Sequence, residues 1–218
     1  MHLNSYFQTH SKRFSIMLQD ILELSKEQDK ICNIGLSIFD KFARECFGDR
    51  YYCAVPNNIF LQSFKEDIHI PKSNIVFFDL TNPNEVPEQT FDIVIFAETL
   101  EHILADDDVI IKSVSRLVAR GGRLYFTVPN ACRHINRLKL LLGKNIHWTK
   151  RDIINGVFNG YGHLREYTFS EVSDLLENEF VIEKLYGLNP YGKPWQIALL
   201  NTFPNRWKSV IVAVARKI

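Results

Sequence analysis

Glu98, Glu101 and His102 stand at i, i+3 and i+4 near the middle of the chain. If the turn that carries them is helical, this spacing brings the three side chains to one face. Two carboxylates and one imidazole make a donor set for a divalent cation such as Mg²⁺, Mn²⁺ or Fe²⁺. A plainer alternative stands beside it: glutamates favoured by the dipole at a helix N-terminus, with His102 packing or capping next to them.

Such a cluster needs a rigid platform, and the flanking sequence supplies one. Residues 93–97 form an apolar run that reads as a strand ending just before Glu98. Similar runs at 31–34, 51–55, 75–78 and 124–128 alternate with helical patterns at 39–47, 59–64, 106–120 and 131–142. Strands that are apolar throughout and separated by helices predict a parallel sheet covered on both faces. Gly121 and Gly122 mark the expected end of the helix over 106–120.

Ahead of the first strand, within residues 1–27, Phe14, Met17, Leu18, Ile21 and Leu22 recur at helical spacing and predict a helix lying on one sheet face. Residues 143–163 are polar, aromatic and glycine-containing without clear periodicity, as expected of an insertion or lid beside the strand ends. A helix over 170–178, opened by Ser170, leads into a strand over 180–185, and a last strand is expected over 210–215.

With 218 residues, 46% of them hydrophobic, the chain is long enough for one well-buried core, and residues 1–218 read as a single domain. Its 26 Lys plus Arg oppose 25 Asp plus Glu, so no global field draws it to nucleic acid, which is not expected as a partner. Cys32, Cys46, Cys53 and Cys132 lack zinc spacing and a secreted disulfide pattern, and are expected to be reduced and buried. No basic region followed by an apolar core opens the sequence and no apolar run reaches the ~20 residues of a membrane span, so a cytoplasmic protein is expected.

Arg133, Arg137, Lys139, Lys144, Lys150 and Arg151 make a locally basic stretch with Trp148 among them. It reads either as a phosphate contact or as the solvated face of a helix whose buried side is Ile135, Leu138, Leu141 and Leu142.

The segment 91–103, Phe-Asp-Ile-Val-Ile-Phe-Ala-Glu-Thr-Leu-Glu-His-Ile, resembles the fourth strand and following turn of class I S-adenosylmethionine-dependent methyltransferases. Residues 117–130, Leu-Val-Ala-Arg-Gly-Gly-Arg-Leu-Tyr-Phe-Thr-Val-Pro-Asn, resemble the next helix end, glycine turn and fifth strand of that family. Residues 162–171, from Gly162 to Glu171, are similar to the segment before the penultimate strand of members acting on small molecules or saccharides. The resemblance runs from about residue 28 to the C-terminus. It implies a Rossmann-like α/β fold of seven strands, mostly parallel with the last antiparallel, helices on both faces, and S-adenosylmethionine across the carboxyl ends of the first strands.

On that resemblance the cofactor would be bound by Asn33, Gly35, Ser37, Asn57, Asp79 and Ala97. The loop 33–39 departs from the family pattern: Gly35 remains, while Asn33 replaces a carboxylate, Ser37 replaces a glycine, and Asn57 follows the second strand where an acid binds the ribose. Asp79 either contacts adenine or caps the turn that follows it.

The spacing of Glu98, Glu101 and His102 is also similar to that of ubiquinone-biosynthesis O-methyltransferases and small-RNA 2′-O-methyltransferases, which hold a metal there. In the RNA enzymes a later histidine completes the site and matches His163, which implies a metal set of Glu98, Glu101, His102 and His163. Without a metal, His102 or His163 would serve as general base, with Glu98 beside it in the catalytic site. Arg165 and Tyr167 read as substrate-side residues, with a structural pairing of Arg165 to Glu166 or Glu171 equally open. The run 136–144 resembles methyltransferases of surface-polysaccharide and lipid-linked saccharide synthesis, which implies a saccharide or other small hydroxylated acceptor. Two other functions remain: a methyltransferase-fold scaffold that has lost its cofactor, favoured by the loop 33–39, and an RNA 2′-O-methyltransferase.

Overall fold

A computed structural model of the chain describes residues 3–56, 70–82, 84, 87, 90–147, 149–159 and 163–218. Its elements run α1 (Leu3–Leu24), β1 (Ile31–Ile34), α2 (Ile38–Phe47), β2 (Tyr51–Val55), β3 (Ile75–Phe77), β4 (Phe91–Ala97), α3 (Asp107–Leu117) and β5 (Val118–Pro129). There follow α4 (His134–Leu141), α5 (Lys150–Asn159), α6 (Phe169–Leu176), β6 (Phe180–Leu188), α7 (Pro194–Asn201) and β7 (Val210–Lys217).

The strands form one seven-stranded sheet in the order β3-β2-β1-β4-β5-β7-β6. β1 pairs in parallel with β2 and β4, and β4 with β5, whereas β7 is antiparallel to both β5 and β6. β1 and β4 lie at the centre and are buried along most of their length, which is why they read in the sequence as predominantly apolar runs.

Two apolar layers flank the sheet. On one side Phe14, Met17 and Ile21 of α1 pack with Phe39, Ala43 and Phe47 of α2 against Ile31, Ile93 and Ile95. Full burial of each large side chain from α1 contributes about 1.5–3 kcal/mol. On the other side Ile110, Ile111, Val114 and Leu117 of α3 and Val172 and Leu176 of α6 cover Val94, Phe96, Leu124 and Phe126.

Several expectations change. α3 ends at Leu117 and β5 begins at Val118, so Gly121, at φ 76°, lies within β5 rather than at the end of the helix. Residues 143–163 carry a helix, α5, which begins with Thr149 and Asp152 in mutual hydrogen bonds. α7 had no periodic signal in the sequence, since its residues are apolar nearly all round. The helix expected over 59–64, together with Asn57 and Trp148, lies outside the described residues. All four cysteines are free, but Cys46 is exposed and Cys132 half-buried, contrary to the expectation of burial. Ile135, Leu138, Leu141 and Leu142 of the α4 region, expected to face the core, are open to solvent. No helix among the described residues is long and apolar enough to cross a membrane.

Candidate active site at the carboxyl ends of the strands

β4 ends at Ala97, and the chain turns sharply through Glu98 into a 3₁₀ turn, Leu100–His102. Glu98 has φ 51°, the single non-glycine residue with positive φ among the described residues. That conformation costs roughly 1–3 kcal/mol and is held by its surroundings. The Glu98 amide donates to Thr127 O at 2.9 Å, the Thr127 hydroxyl donates to Glu98 Oε1 at 3.2 Å, and Arg13 Nη1 of α1 lies 3.3 Å from Glu98 Oε2. Burial pushes the Glu98 carboxyl above its usual range while the Arg13 charge pulls it back.

Glu101, His102 and His163 converge. Each offers a ligand atom within 4.8 Å of the others. The His102 and His163 ring centroids are 4.9 Å apart in a T-shaped arrangement, and His102 Nε2 lies 3.8 Å from Glu101 Oε1. His163 is delivered by a backbone bond, Leu164 N donating to Glu101 O at 2.7 Å, which ties its segment across the 3₁₀ turn. Glu98 is absent from this group: its carboxylate is turned to Arg13 and Thr127. The expected four-residue set is therefore three residues plus a neighbouring, separately paired glutamate.

Glu101 is the most informative member. It is buried, and neither carboxylate oxygen has a hydrogen-bond partner among the described residues. An orphaned buried carboxylate costs several kcal/mol if charged. Burial, and then the nearby Glu98 charge, push its carboxyl well above the usual range. A cation held by Glu101, His102 and His163 would relieve that cost, so the donor set fits a divalent metal. Burial lowers His163 to about 4, with His102 and Arg133 acting in the same direction, so its imidazole is neutral near pH 7 and able to ligate or to accept a proton.

The loop after β1 is arranged differently from the expectation. Asn33 is buried and its amide donates to Asp40 Oδ1 at 2.8 Å. Ser37 caps α2: Phe39 N donates to its hydroxyl, and its own amide donates to Asp40 Oδ2 at 2.6 Å. Tyr51 OH and Cys53 Sγ donate to the same Asp40 carboxylate, at 2.7 and 3.0 Å. The Asn33 and Ser37 side chains thus both have partners within the protein.

Gly35 keeps its expected place, with φ 103° and its amide donating to Ala54 O at 2.8 Å. Among the described residues, a β-carbon there would meet only Thr99 Oγ1, at 3.9 Å, so no side chain crowds the backbone at this turn. Ala97, at the end of β4, accepts the Thr99 hydroxyl through its carbonyl. Asp79 is exposed and accepts from both the amide and the hydroxyl of Thr81, which is the turn-capping alternative.

Arg165 forms ion pairs with Asp107 and Glu171 at 3.1 and 2.6 Å and lies over the Tyr167 ring, whose hydroxyl donates to Asp107. These residues tie α6 to the start of α3, the structural pairing with Glu171 that the sequence left open. Glu166 accepts from Arg133 and Asn136 and anchors α4.

Three participants escaped the sequence reading: Arg13, Asp40 and Tyr191, whose hydroxyl accepts from Arg13 Nη1 at 3.0 Å. Asp40 carried a local signal, the Ser37-x-x-Asp40 capping spacing. Arg13 carried none, since it lies 85 residues from Glu98 in sequence.

Residues 35–126 match a family model described as a methyltransferase domain. Among solved structures, a SAM-dependent methyltransferase from Thermotoga maritima aligns at TM-score 0.61 with 14% identity, covering 99% of this chain and 94% of that one. An S-adenosylmethionine-dependent methyltransferase from Mesorhizobium loti aligns at 0.60 with 16% identity, covering 91% and 96%. The N-methyltransferase NodS from Bradyrhizobium japonicum, in complex with S-adenosyl-L-homocysteine, aligns at 0.51 with 14% identity, covering 93% and 86%. At such identities the likeness concerns the fold. No curated protein matches the chain at a significant level.

Proposed function

We propose that the chain is a class I S-adenosylmethionine-dependent methyltransferase that methylates a hydroxyl of a saccharide or other small hydroxylated acceptor at Glu101, His102 and His163. The observation that carries this reading is the buried, unpartnered carboxylate of Glu101 with two imidazoles against it at the end of β4.

S-adenosylmethionine, when bound, supplies a methyl group already activated on sulfonium, so the protein has mainly to align the acceptor and take up its proton. Gly35 leaves room for the cofactor's approach, and His163, neutral near pH 7, is placed to receive a proton at an imidazole nitrogen. A divalent ion held by Glu101, His102 and His163 would lower the pKa of the acceptor hydroxyl, leaving the histidines as ligands. Arg13 holds Glu98 out of that set.

A second reading, a scaffold that no longer binds the cofactor, is favoured by the internal engagement of Asn33 and Ser37. Calorimetry with S-adenosylhomocysteine separates the two. Binding is expected, since Gly35 keeps its backbone approach open; a ligand at 100 times its Kd should add about 2.7 kcal/mol of stability. No heat and no stabilisation at millimolar ligand would leave the scaffold. Transfer of labelled methyl to hydroxylated sugars, rising with Mn²⁺, tests the acceptor class and the metal together.

A further inference from the structure

The most open apolar surface among the described residues lies beside the site, and its charge is one-sided. Leu138, Leu140, Leu141 and Leu142 on and after α4 are 50–84% exposed, and Trp195 and Leu199 of α7 are 64% and 57% exposed. The segment that follows α7 meets α4: the Phe203 ring lies 5.6 Å from His134, and Arg137 lies 5.0 Å over the Trp207 ring. Residues 131–151 and 184–218 contain no Asp or Glu, while Arg137, Lys139, Lys144, Lys193, Arg206 and Lys208 stand among the apolar side chains.

The orientation of α4 is fixed from its inner side. Asn136 is fully buried, donates to Glu166 Oε2 at 2.9 Å and to Ala131 O, and Arg133 joins it on Glu166. Leu138, Leu141 and Leu142 share the other face by their i, i+3, i+4 spacing. Leucines displayed outward with long cations around them, whose stems lie along apolar surface while their heads reach polar groups, match a helix lying in the headgroup and acyl boundary of a bilayer.

We propose that α4, its following loop and α7 form a docking surface for an anionic phospholipid bilayer. Charge complementarity selects this occupant. A second copy packed by the same face would set two cation-rich surfaces against each other, and a neutral surface would leave the cations without counter-charge. The face adjoins the site: Ala131, Ile146 and His147 line a cavity of about 50 Å³ together with His163 and Glu166. Docking there sets the His163 side of the site next to the lipid. The inference rests on exposure and charge and stands whatever the methyl acceptor is.

The test is co-sedimentation of the whole chain with vesicles of phosphatidylcholine alone and of phosphatidylcholine with phosphatidylglycerol. Binding to the anionic vesicles should be at least about tenfold tighter and should weaken with salt; each cation near such a surface contributes about fivefold. Leu141→Asp with Leu142→Asp should reduce it by about tenfold or more, and Lys139→Glu with Lys144→Glu should abolish the preference for anionic lipid. Leu22→Asp, on an exposed residue of α1, should leave it unchanged. Equal binding to both vesicle types, or loop variants that bind like the parent, would overturn the proposal. So would a dimer in light scattering that Leu141→Asp with Leu142→Asp dissociates, since that would assign the face to a second copy.

Discussion

Arg13 Nη1 of the first helix lies 3.3 Å from Glu98 Oε2 at the end of the fourth strand, with both side chains about nine-tenths buried. The contact joins α1 to the turn that opens the site and neutralises the carboxylate nearest Glu101. Removing one partner of a buried pair costs about 3–5 kcal/mol because the other charge is left uncompensated. Arg13→Ala should therefore destabilise strongly, and adding Glu98→Gln should recover part of the loss. Urea unfolding of the two single variants and the double variant gives the coupling; additivity would show that the pair is not energetically joined.

Gly35→Val should abolish S-adenosylhomocysteine binding while the fold survives. The cause is backbone conformation, since φ is 103° and a β-carbon itself has room, with Thr99 Oγ1 as its nearest neighbour at 3.9 Å. Calorimetry on a variant with unchanged circular dichroism is the measurement. An unaltered Kd would mean that the cofactor does not approach this loop.

Glu101→Leu should raise the stability of the metal-free protein by about 1–3 kcal/mol, because it removes a buried carboxylate that no other side chain among the described residues hydrogen-bonds. The same change should weaken Mn²⁺ binding about tenfold or more, as should His163→Ala, whereas Glu98→Gln should have little effect on it. Thermal unfolding and metal titration on the same samples check both halves. A destabilised Glu101→Leu variant would show that the carboxylate has a structural partner.

Asp40 gives a pH signature. Burial raises its carboxyl above the ordinary value of 3.8, and bonds from Cys53, Tyr51, Ser37 and Asn33 pull it part of the way back. The unfolded chain then releases this proton at lower pH than the folded one, so between the two pKa values the folded state binds more protons. Stability from this group is greatest below that window and declines as pH rises through it. Asp40→Asn should remove the slope. The stability of the parent minus that of the variant, followed by denaturant unfolding from pH 4 upward, should fall with rising pH; a difference that rises instead would reverse the assignment.

The sequence by itself determined the sheet strands and the covering helix. β1 and β2 fall on the runs 31–34 and 51–55 to the residue, because a parallel strand buried on both faces is predominantly apolar, Asn33 being the exception in β1. Phe14, Met17 and Ile21 announced the buried face of α1 through helical spacing, although Leu22 of the same predicted stripe is open to solvent. The helical spacing of Glu98, Glu101 and His102 pointed to the right turn but to the wrong geometry: the turn is 3₁₀ and Glu98 stands outside the group of Glu101, His102 and His163.

What lay across the chain was decided only by tertiary structure. The pairing of Arg13 with Glu98, and the bond from Leu164 N to Glu101 O that brings His163 to its partners, join residues far apart in sequence, and local periodicity holds no record of them. Asp40 likewise gathers donors from Asn33, Ser37, Tyr51 and Cys53, contacts that, apart from the capping pair with Ser37, no local pattern in the sequence records, since a buried carboxylate has to be satisfied by whatever donors the fold brings to it. Leu138, Leu141 and Leu142 show the same limit in another form. Their spacing states that they share one helix face, but whether a face meets a core or solvent depends on which element packs there, and that is a property of the assembled fold.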